Sequence, residues 1–153
     1  MISFKLVRGN IFKQKVDCIV NPWNMNFIPY QLLFLTGVSG QLKKFAGTQP
    51  FEELKKMGVL LPGKAVLTIS EKFPIPIIHV VGLNWYWRSS LEIVEKCIEN
   101  AIELAVQNNY KSIAIPLVGA TSGLSEDTVI EMITGKLRSM NQDIKVIIVQ
   151  CDK

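Results

Sequence analysis

Hydrophobic positions along this chain recur at two different periods. Ile2, Phe4 and Leu6 alternate with Ser3 and Lys5, the period-two pattern of a strand with one covered face, and "RGN" closes it with a turn. Four short apolar runs have polar or glycine bounds instead of alternation: "VDCIVN" (Val16–Asn21), "PIIHVVG" (Pro76–Gly82), "SIAIPLVG" (Ser112–Gly119) and "KVIIVQC" (Lys145–Cys151). Unbroken runs of this length predict strands buried on both faces, as in the middle of a parallel sheet. "KAVLTIS" (Lys64–Ser70), opened by the turn signal Pro62-Gly63, predicts a sixth strand.

Between these strands the period lengthens. Leu91, Val94, Ile98, Ala101 and Ala105 fall at spacings of three and four, one apolar stripe on a helix. Ser89 with Glu92 predicts a capping box at its start. Ser125 predicts the cap of a later helix, with Glu126 and Asp127 at the positive end of its dipole and Val129, Ile133 and Leu137 facing inward. A third helix is expected over Gly37–Phe45 with Val38, Leu42 and Phe45 inward, and a fourth over Pro50–Met57 with Gly58 as its stop. Strands alternating with helices predict an α/β fold: a three-layer α/β/α sandwich around a mixed, largely parallel six-stranded sheet. No repeat, linker or low-complexity stretch interrupts the pattern, so residues 1–153 are expected to form a single domain. Sheets of this kind bind ligands at the carboxyl ends of their strands. That rule points to "NPWN", "VVGLNW" and "PLVGATSG".

Composition narrows the classes. The chain is 48% hydrophobic and 20% charged, which excludes disorder. Its net charge of +4 suits a phosphate-bearing ligand, but the basic residues are scattered and cluster only at Lys43-Lys44 and Lys55-Lys56. A dedicated nucleic-acid surface needs a denser patch. Three cysteines (Cys18, Cys97 and Cys151) lie far apart, and His79 is the single histidine, so the ligands of a zinc site are lacking and no metal or cofactor is expected. Cys18 and Cys151 stand in apolar runs and read as small buried hydrophobes. The odd count without framework spacing favours a reducing cytoplasm. The N-terminus lacks a signal pattern, and the greasy run near Ile28–Leu35 is too short to span a bilayer.

Two small-residue loops carry the candidate chemistry. "PLVGATSGLSED" leaves a buried strand through Gly119-Ala120-Thr121-Ser122-Gly123 and enters a helix at Ser125. Small residues let backbone N–H groups approach an anion. "GVSGQLKKFAG" places Gly37, Ser39 and Gly40 at another helix N-terminus, where N–H groups are spare. The plainer readings are an ordinary strand-to-helix turn and a glycine N-cap. No Gly-Lys-Ser/Thr follows either loop, and no Gly-x-Gly-x-x-Gly follows the first strand, so neither a P-loop nor a standard dinucleotide fold is expected.

In order along the chain, "RGNIFKQKVDCIVNPWN", "GVSGQLKKFAG", "LPGKAVLT", "IIHVVG" and "SIAIPLVGATSGLS" resemble a macro domain, the ADP-ribose-binding module. The resemblance covers about Val7 to Ile133, and "VDCIVNPWN" is similar to the family's Val-Asp-Ala-Ile-Val-Asn-Ala-Ala-Asn. It implies roles position by position. Asn10 stands where the family has an Asp that accepts from the adenine amino group. Ile11 would offer its backbone N–H to the ring. Asn24 matches the asparagine that contacts the distal ribose and is the one catalytic candidate. Asn21 matches the first asparagine, which braces the loop or contacts ligand. Gly37, Val38, Ser39 and Gly40 match the first phosphate loop, and Gly119, Ala120, Thr121, Ser122, Gly123 and Leu124 the second. For Asn10 and Asn21 an ordinary turn role remains open, because asparagine is a common turn residue.

Three departures from the family stand out. Ser39 replaces the acid that many hydrolysing members carry, and a hydroxyl is a poor general base at neutral pH. Leu124 replaces an aromatic that packs on the ribose. Twelve residues, none of them glycine, separate Asn24 from Gly37. That apolar insert is expected to act as a lid, with Phe27, Tyr30 and Phe34 over the mouth of the pocket or against "NWYW" (Asn84–Trp87), as a self-association patch over Phe27–Leu35, or as plain core. Within "NWYW", Trp87 reads as structural and Trp85 stays open. His79 reads as a core histidine, and Asp17 as a structural acid at the strand start.

The resemblance implies binding of ADP-ribose, free or on a mono-ADP-ribosylated protein. A mono-ADP-ribosyl hydrolase or O-acetyl-ADP-ribose deacetylase is the enzymatic alternative, and an RNA-binding or ligand-free interaction module the third. No membrane role is expected.

Overall fold

The computed structural model describes residues 1–33 and 35–151. Six strands form one sheet: β1 (Ser3–Gly9), β2 (Cys18–Trp23), β3 (Ala65–Thr68), β4 (Ile77–Val81), β5 (Ser112–Pro116) and β6 (Lys145–Cys151). Their order is β1-β6-β5-β2-β4-β3. All neighbours run parallel except β3, which lies antiparallel on β4. Four helices cover it: α1 (Gly37–Ala46), α2 (Gln49–Lys55), α3 (Leu91–Gln107) and α4 (Glu126–Ser139). The fold is the mixed α/β sandwich that the alternation of periods implies.

The unbroken apolar runs account for the two cores. Successive side chains of a strand point to opposite faces. Cys18 and Val20, Ile78 and Val80, Ile113 and Ile115, and Val146 and Ile148 therefore meet α3 and α4 on one face. Ile19, Ile77, Val81, Ala114, Ile147 and Val149 meet α1 and α2 on the other, with Leu42, Phe51 and Leu54. Each fully buried side chain of this size contributes about 1.5–3 kcal/mol. The start of β2 is tied to that of β5 by Asp17. Its N–H donates to Ser112 Oγ at 2.9 Å, and its Oδ2 accepts the Lys111 N–H at 2.7 Å.

Several local expectations shift. The cap of α3 is Ser90, whose Oγ accepts the Ile93 N–H, and not Ser89. Leu91, the first residue of the helix, is 39% exposed, while the rest of the stripe is buried with Cys97 and Ile102. Leu6 is exposed because β1 is an edge strand, and Val7 on its other side packs into the second core instead. Phe45 is also partly exposed, but its ring stacks on Phe12 at 5.0 Å. Ser125 caps α4 as expected, accepting from the Thr128 N–H, and Val129, Ile133 and Leu137 are buried. No helix among the described residues is long and apolar enough to cross a membrane.

Candidate functional site

The carboxyl ends of β6, β5, β2 and β4, in that order across the sheet, open on one cleft of about 680 Å³. That volume lies within the roughly 300–1,000 Å³ of small-molecule sites. Gln150 and Cys151 mark its β6 end, Pro116–Ser122 its middle, Pro22–Asn24 the end of β2, and Gly82, Leu83 and Trp87 its far end.

The N-terminus of α1 forms one wall. Thr36 is its cap, without a side-chain hydrogen bond, and the first internal bond runs from the Gly40 N–H to Thr36 O at 3.2 Å. The N–H groups of Gly37, Val38 and Ser39 have no partner among the described residues, as the first turn of a helix requires. A side chain at Gly40 is excluded by close approach, since its Cβ would stand 2.9 Å from Leu35 O.

The loop after β5 forms the facing wall. Two turn bonds fold it, from the Ala120 N–H to Leu117 O and from the Ser122 N–H to Gly119 O. The N–H groups of Gly119, Thr121 and Gly123 stay unbonded among the described residues. Gly119 sits at φ +86°, and a Cβ there would lie 2.8 Å from Ser89 Oγ. That hydroxyl is buried and unpartnered among the described residues. The Ser89 N–H donates to Ser122 O at 2.9 Å, so the two loops after β4 and β5 brace each other.

Beneath the first loop runs a chain of polar side chains. Ser39 Oγ donates to Asn21 Oδ1 at 2.9 Å and lies 3.1 Å from Pro22 O. Asn21 Nδ2 lies 3.0 Å from His79 Nδ1, and His79 Nε2 lies 2.7 Å from Thr68 Oγ1. With the amide oriented so, His79 accepts at Nδ1 and carries its proton on Nε2. Asn21, His79 and Thr68 are all buried. Complete burial pushes the imidazole down to about 3, so His79 stays neutral. His79 is the core histidine its surroundings predict, with two polar contacts instead of one.

Asn24 lines the cleft at 6% exposure. Its Oδ1 accepts the Asn26 N–H at 2.7 Å, and its Nδ2 makes no hydrogen bond among the described residues. The cleft end of this asparagine is therefore a donor. Among the described lining residues Glu126 is the only carboxylate, it accepts from Gln150 Nε2, and none is Lys or Arg, while the Arg88 guanidinium lies 3.6 Å from where a Cβ on Gly123 would stand.

The apolar insert divides its roles. Met25 and Tyr30 are buried in the second core, with Tyr30 stacked on Phe51 at 5.5 Å and bonded to Glu52. Leu33 and Leu35 line the cleft. Phe27 packs against Trp85 at 5.1 Å and Trp87 at 5.9 Å. Phe34 lies outside the described residues. Leu32 is 77% exposed.

Of the residues singled out in the sequence, Asn24, Gly37, Val38, Ser39, Gly119, Ala120, Thr121 and Ser122 line this one cleft. Gly40, Gly123 and Leu124 stand beside it, and Asn21 lies beneath. Asn10 and Ile11 follow β1, whose Gly9 pairs with Cys151 at the β6 end. Asn10 Oδ1 accepts the Phe12 N–H at 2.9 Å and caps a short 3₁₀ turn over Ile11–Lys13. Sequence reasoning missed Trp87, Glu126 and Gln150. Trp87 had a signal in the density of "NWYW" after a strand. Glu126 and Gln150 had none, because an acid in the first turn of a helix and a glutamine near a strand end are ordinary surface residues.

Comparison with known proteins fits this geometry. A family model described as Macro domain matches residues 20–133. An O-acetyl-ADP-ribose deacetylase of Enterobacter sp. strain 638 is 32% identical over 150 residues, covering 88% of this chain and 81% of that one. A deacetylase of the same description from Enterobacter cloacae is 33% identical over 120 residues, 74% of this chain but only 64% of the relative. Among solved structures, a mutant Oceanobacillus iheyensis macrodomain solved with ADPR is similar at TM-score 0.81 and 25% identity, over 96% of this chain and 84% of that one. The macrodomain of Thermus aquaticus DarG reaches TM-score 0.79 over 98% and 99% of the two chains, at 22% identity a likeness of fold alone. The family model and the 32% identical relative make one statement: this chain belongs to the macro domain family.

Proposed function

We propose that residues 1–153 act as one macro domain that binds ADP-ribose, free or as the terminal group on a mono-ADP-ribosylated protein. One observation carries this reading: two loops with unbonded N–H groups, Gly37–Ser39 and Gly119–Gly123, face each other across a single cleft. Two facing N–H arrays, one at the start of α1 and one in the turns after β5, suit a diphosphate. On this reading the rest of the ligand runs along the strand order, which supports the layout. Adenine falls at the β6 end near Asn10 and Ile11, and the distal ribose at Asn24. The Asn10 oxygen is engaged with Phe12, so the Ile11 N–H, unbonded among the described residues, is left to meet the base. The relatives named as deacetylases and the neighbour solved with ADPR support the same ligand.

Deacetylation of O-acetyl-ADP-ribose is a second reading, favoured by the names of those relatives. The site supplies little to drive it. Asn24 offers a donor, Ser39 directs its proton inward, and Glu126 stands near Gln150 at the opposite end of the cleft. A water at the distal ribose meets no general base, so turnover is expected to be slow.

Calorimetric titration with ADP-ribose, ADP and AMP at about 50 mM and about 200 mM salt tests the binding reading. The expected result is binding that tightens when the distal ribose is present and changes less than about threefold with salt. A nucleic-acid module contacting six to ten phosphates would lose about a thousandfold or more over that range. No heat with any of the three ligands would overturn the reading.

A further inference from the structure

A polar pair at the β6 end of the cleft has no task in holding a diphosphate. Glu126, in the first turn of α4, accepts from Gln150 Nε2, and both side chains line the cleft. A carboxylate accepts only, so the Gln150 amide must turn its Nε2 toward Glu126 and its Oε1 away. Glu126 Oε1 and Gln150 Oε1 have no hydrogen-bond partner among the described residues. The pair thus holds two spare acceptor oxygens against one spare amide hydrogen.

Its surroundings leave the negative charge in place. Cys151 follows Gln150 and so points to the other face of β6, where it packs against the second core. Arg8 stands opposite Gln150 in the β1–β6 register and is exposed, but Glu126 forms no ion pair with it or with any other cation among the described residues. Pro116 and Leu117, the nearest part of the β5 wall, offer no side-chain donor or acceptor.

The position of the pair identifies what it meets. Glu126 follows the unbonded N–H groups of Gly119–Gly123 within one short turn. Gln150 precedes Cys151, which pairs with Gly9 just ahead of Asn10 and Ile11. The pair therefore lies between the loop read as holding the diphosphate and the place read for adenine. In an adenosine diphosphate the group between those two is the ribose, whose 2′- and 3′-hydroxyls can both donate. An acid on a ribose hydroxyl is also how dinucleotide-binding folds fix that sugar.

Resting on the proposed layout of the ligand, we infer that Glu126, held by Gln150, determines specificity by accepting from the 2′,3′-diol of the adenosine ribose. The ligand class is then a ribonucleoside diphosphate with both of these hydroxyls free. A ligand lacking either hydroxyl leaves a carboxylate or amide oxygen unmatched within the cleft.

The test is competition calorimetry against ADP-ribose on the full chain, with ADP, 2′-deoxy-ADP and 3′-deoxy-ADP as competitors. Wild type should bind ADP about five- to thirtyfold more tightly than at least one deoxy form. Glu126→Ala should bring ADP down to the level of the deoxy forms while changing their own affinity less than about twofold. Glu126→Gln, which keeps an acceptor oxygen without the charge, should fall between. A merely structural role would weaken all three competitors together and leave their ratio unchanged, and that outcome overturns the inference. Equal binding of ADP and both deoxy forms to wild type also overturns it, and leaves the proposed function intact as long as ADP-ribose binds. A preference for ADP that survives in Glu126→Ala overturns it too, since it would come from sugar conformation or another contact. Failure of ADP-ribose and ADP alike to bind overturns both.

Discussion

Ser39 stands where the resemblance implies an acid, and its surroundings explain what the exchange entails. Its hydroxyl lies between two acceptors, Asn21 Oδ1 and Pro22 O, so it serves them as a donor. A carboxylate in its place accepts only. With Ser39→Asp, the Asn21 amide must turn its Nδ2 toward position 39 and its Oδ1 toward His79. The imidazole then has to move its proton from Nε2 to Nδ1. Because His79 is the only histidine, ¹⁵N-histidine NMR reads this directly. The wild type should show the Nε2–H tautomer and Ser39→Asp the Nδ1–H form, with about 1–3 kcal/mol of stability lost in urea unfolding if the amide cannot turn. An unchanged tautomer in a folded, equally stable variant would refute this account. None of it is visible in "GVSG", which reads simply as a loop missing an acid. The sequence identifies the missing group but not the donor arrangement that replaced it.

At the scale of elements, the insert between Asn24 and Gly37 carries the main departure from the family pattern, and Asn26 is its anchor. Asn26 sits at φ +65°, tolerated by asparagine far better than by most residues. Its Nδ2 donates to Leu54 O at 2.6 Å and Gly58 O at 2.8 Å, and its Oδ1 accepts from Trp23 Nε1 at 3.2 Å. The insert is thereby fastened to the end of α2. Asn26→Ala should cost roughly 2–4 kcal/mol in denaturant unfolding, from lost hydrogen bonds and an unfavourable backbone angle. Asn26→Gly, which relieves the angle only, should cost less. Equal stability of Asn26→Ala and wild type would mean that the insert is not held by this residue. The sequence offers lid, patch and core as readings of the insert. The structure divides them among residues: Met25 and Tyr30 to core, Leu33 and Leu35 to the cleft wall, Phe27 to contact with Trp85 and Trp87. Local pattern could not make that division, because all five look alike as apolar residues outside a periodic element.

The whole molecule responds to acid through one buried group. His79 titrates near 3 in the folded chain and near 6.5 when unfolded, because burial disfavours its charged form. Below about pH 6.5 the unfolded chain takes up a proton that the folded chain refuses. Stability therefore falls as pH falls, by up to about 1.4 kcal/mol per pH unit down to about pH 3. The interval from about pH 6 to 5 lies inside this window, and comparison with His79→Gln isolates the histidine there. Urea unfolding across it should show the slope in wild type and its absence in His79→Gln. A flat wild-type profile would mean that the imidazole is protonated in the folded state. The consequence is global although the group is single, because protonation there breaks contacts linking β2, β4, β3 and the start of α1.

The sequence by itself determined the layers, the strands and the family. Burial on both faces of a sheet forces unbroken apolar runs, burial on one face of a helix forces a stripe, and close approach of neighbouring chain, as at Gly40 and Gly119, forces small residues. Each constraint acts over a few neighbouring positions and so is written locally. The tertiary structure alone decided what stands across the cleft from what. The order β6-β5-β2-β4 sets Gln150 at one end and Trp87 at the other, 63 positions apart in the chain and at opposite ends of one cleft. It turned the Ser39 hydroxyl inward, put the α3 cap on Ser90, and brought Phe27 against Trp85 and Trp87. Those outcomes depend on strand order and on which donor finds which acceptor, and both are settled only when distant segments meet.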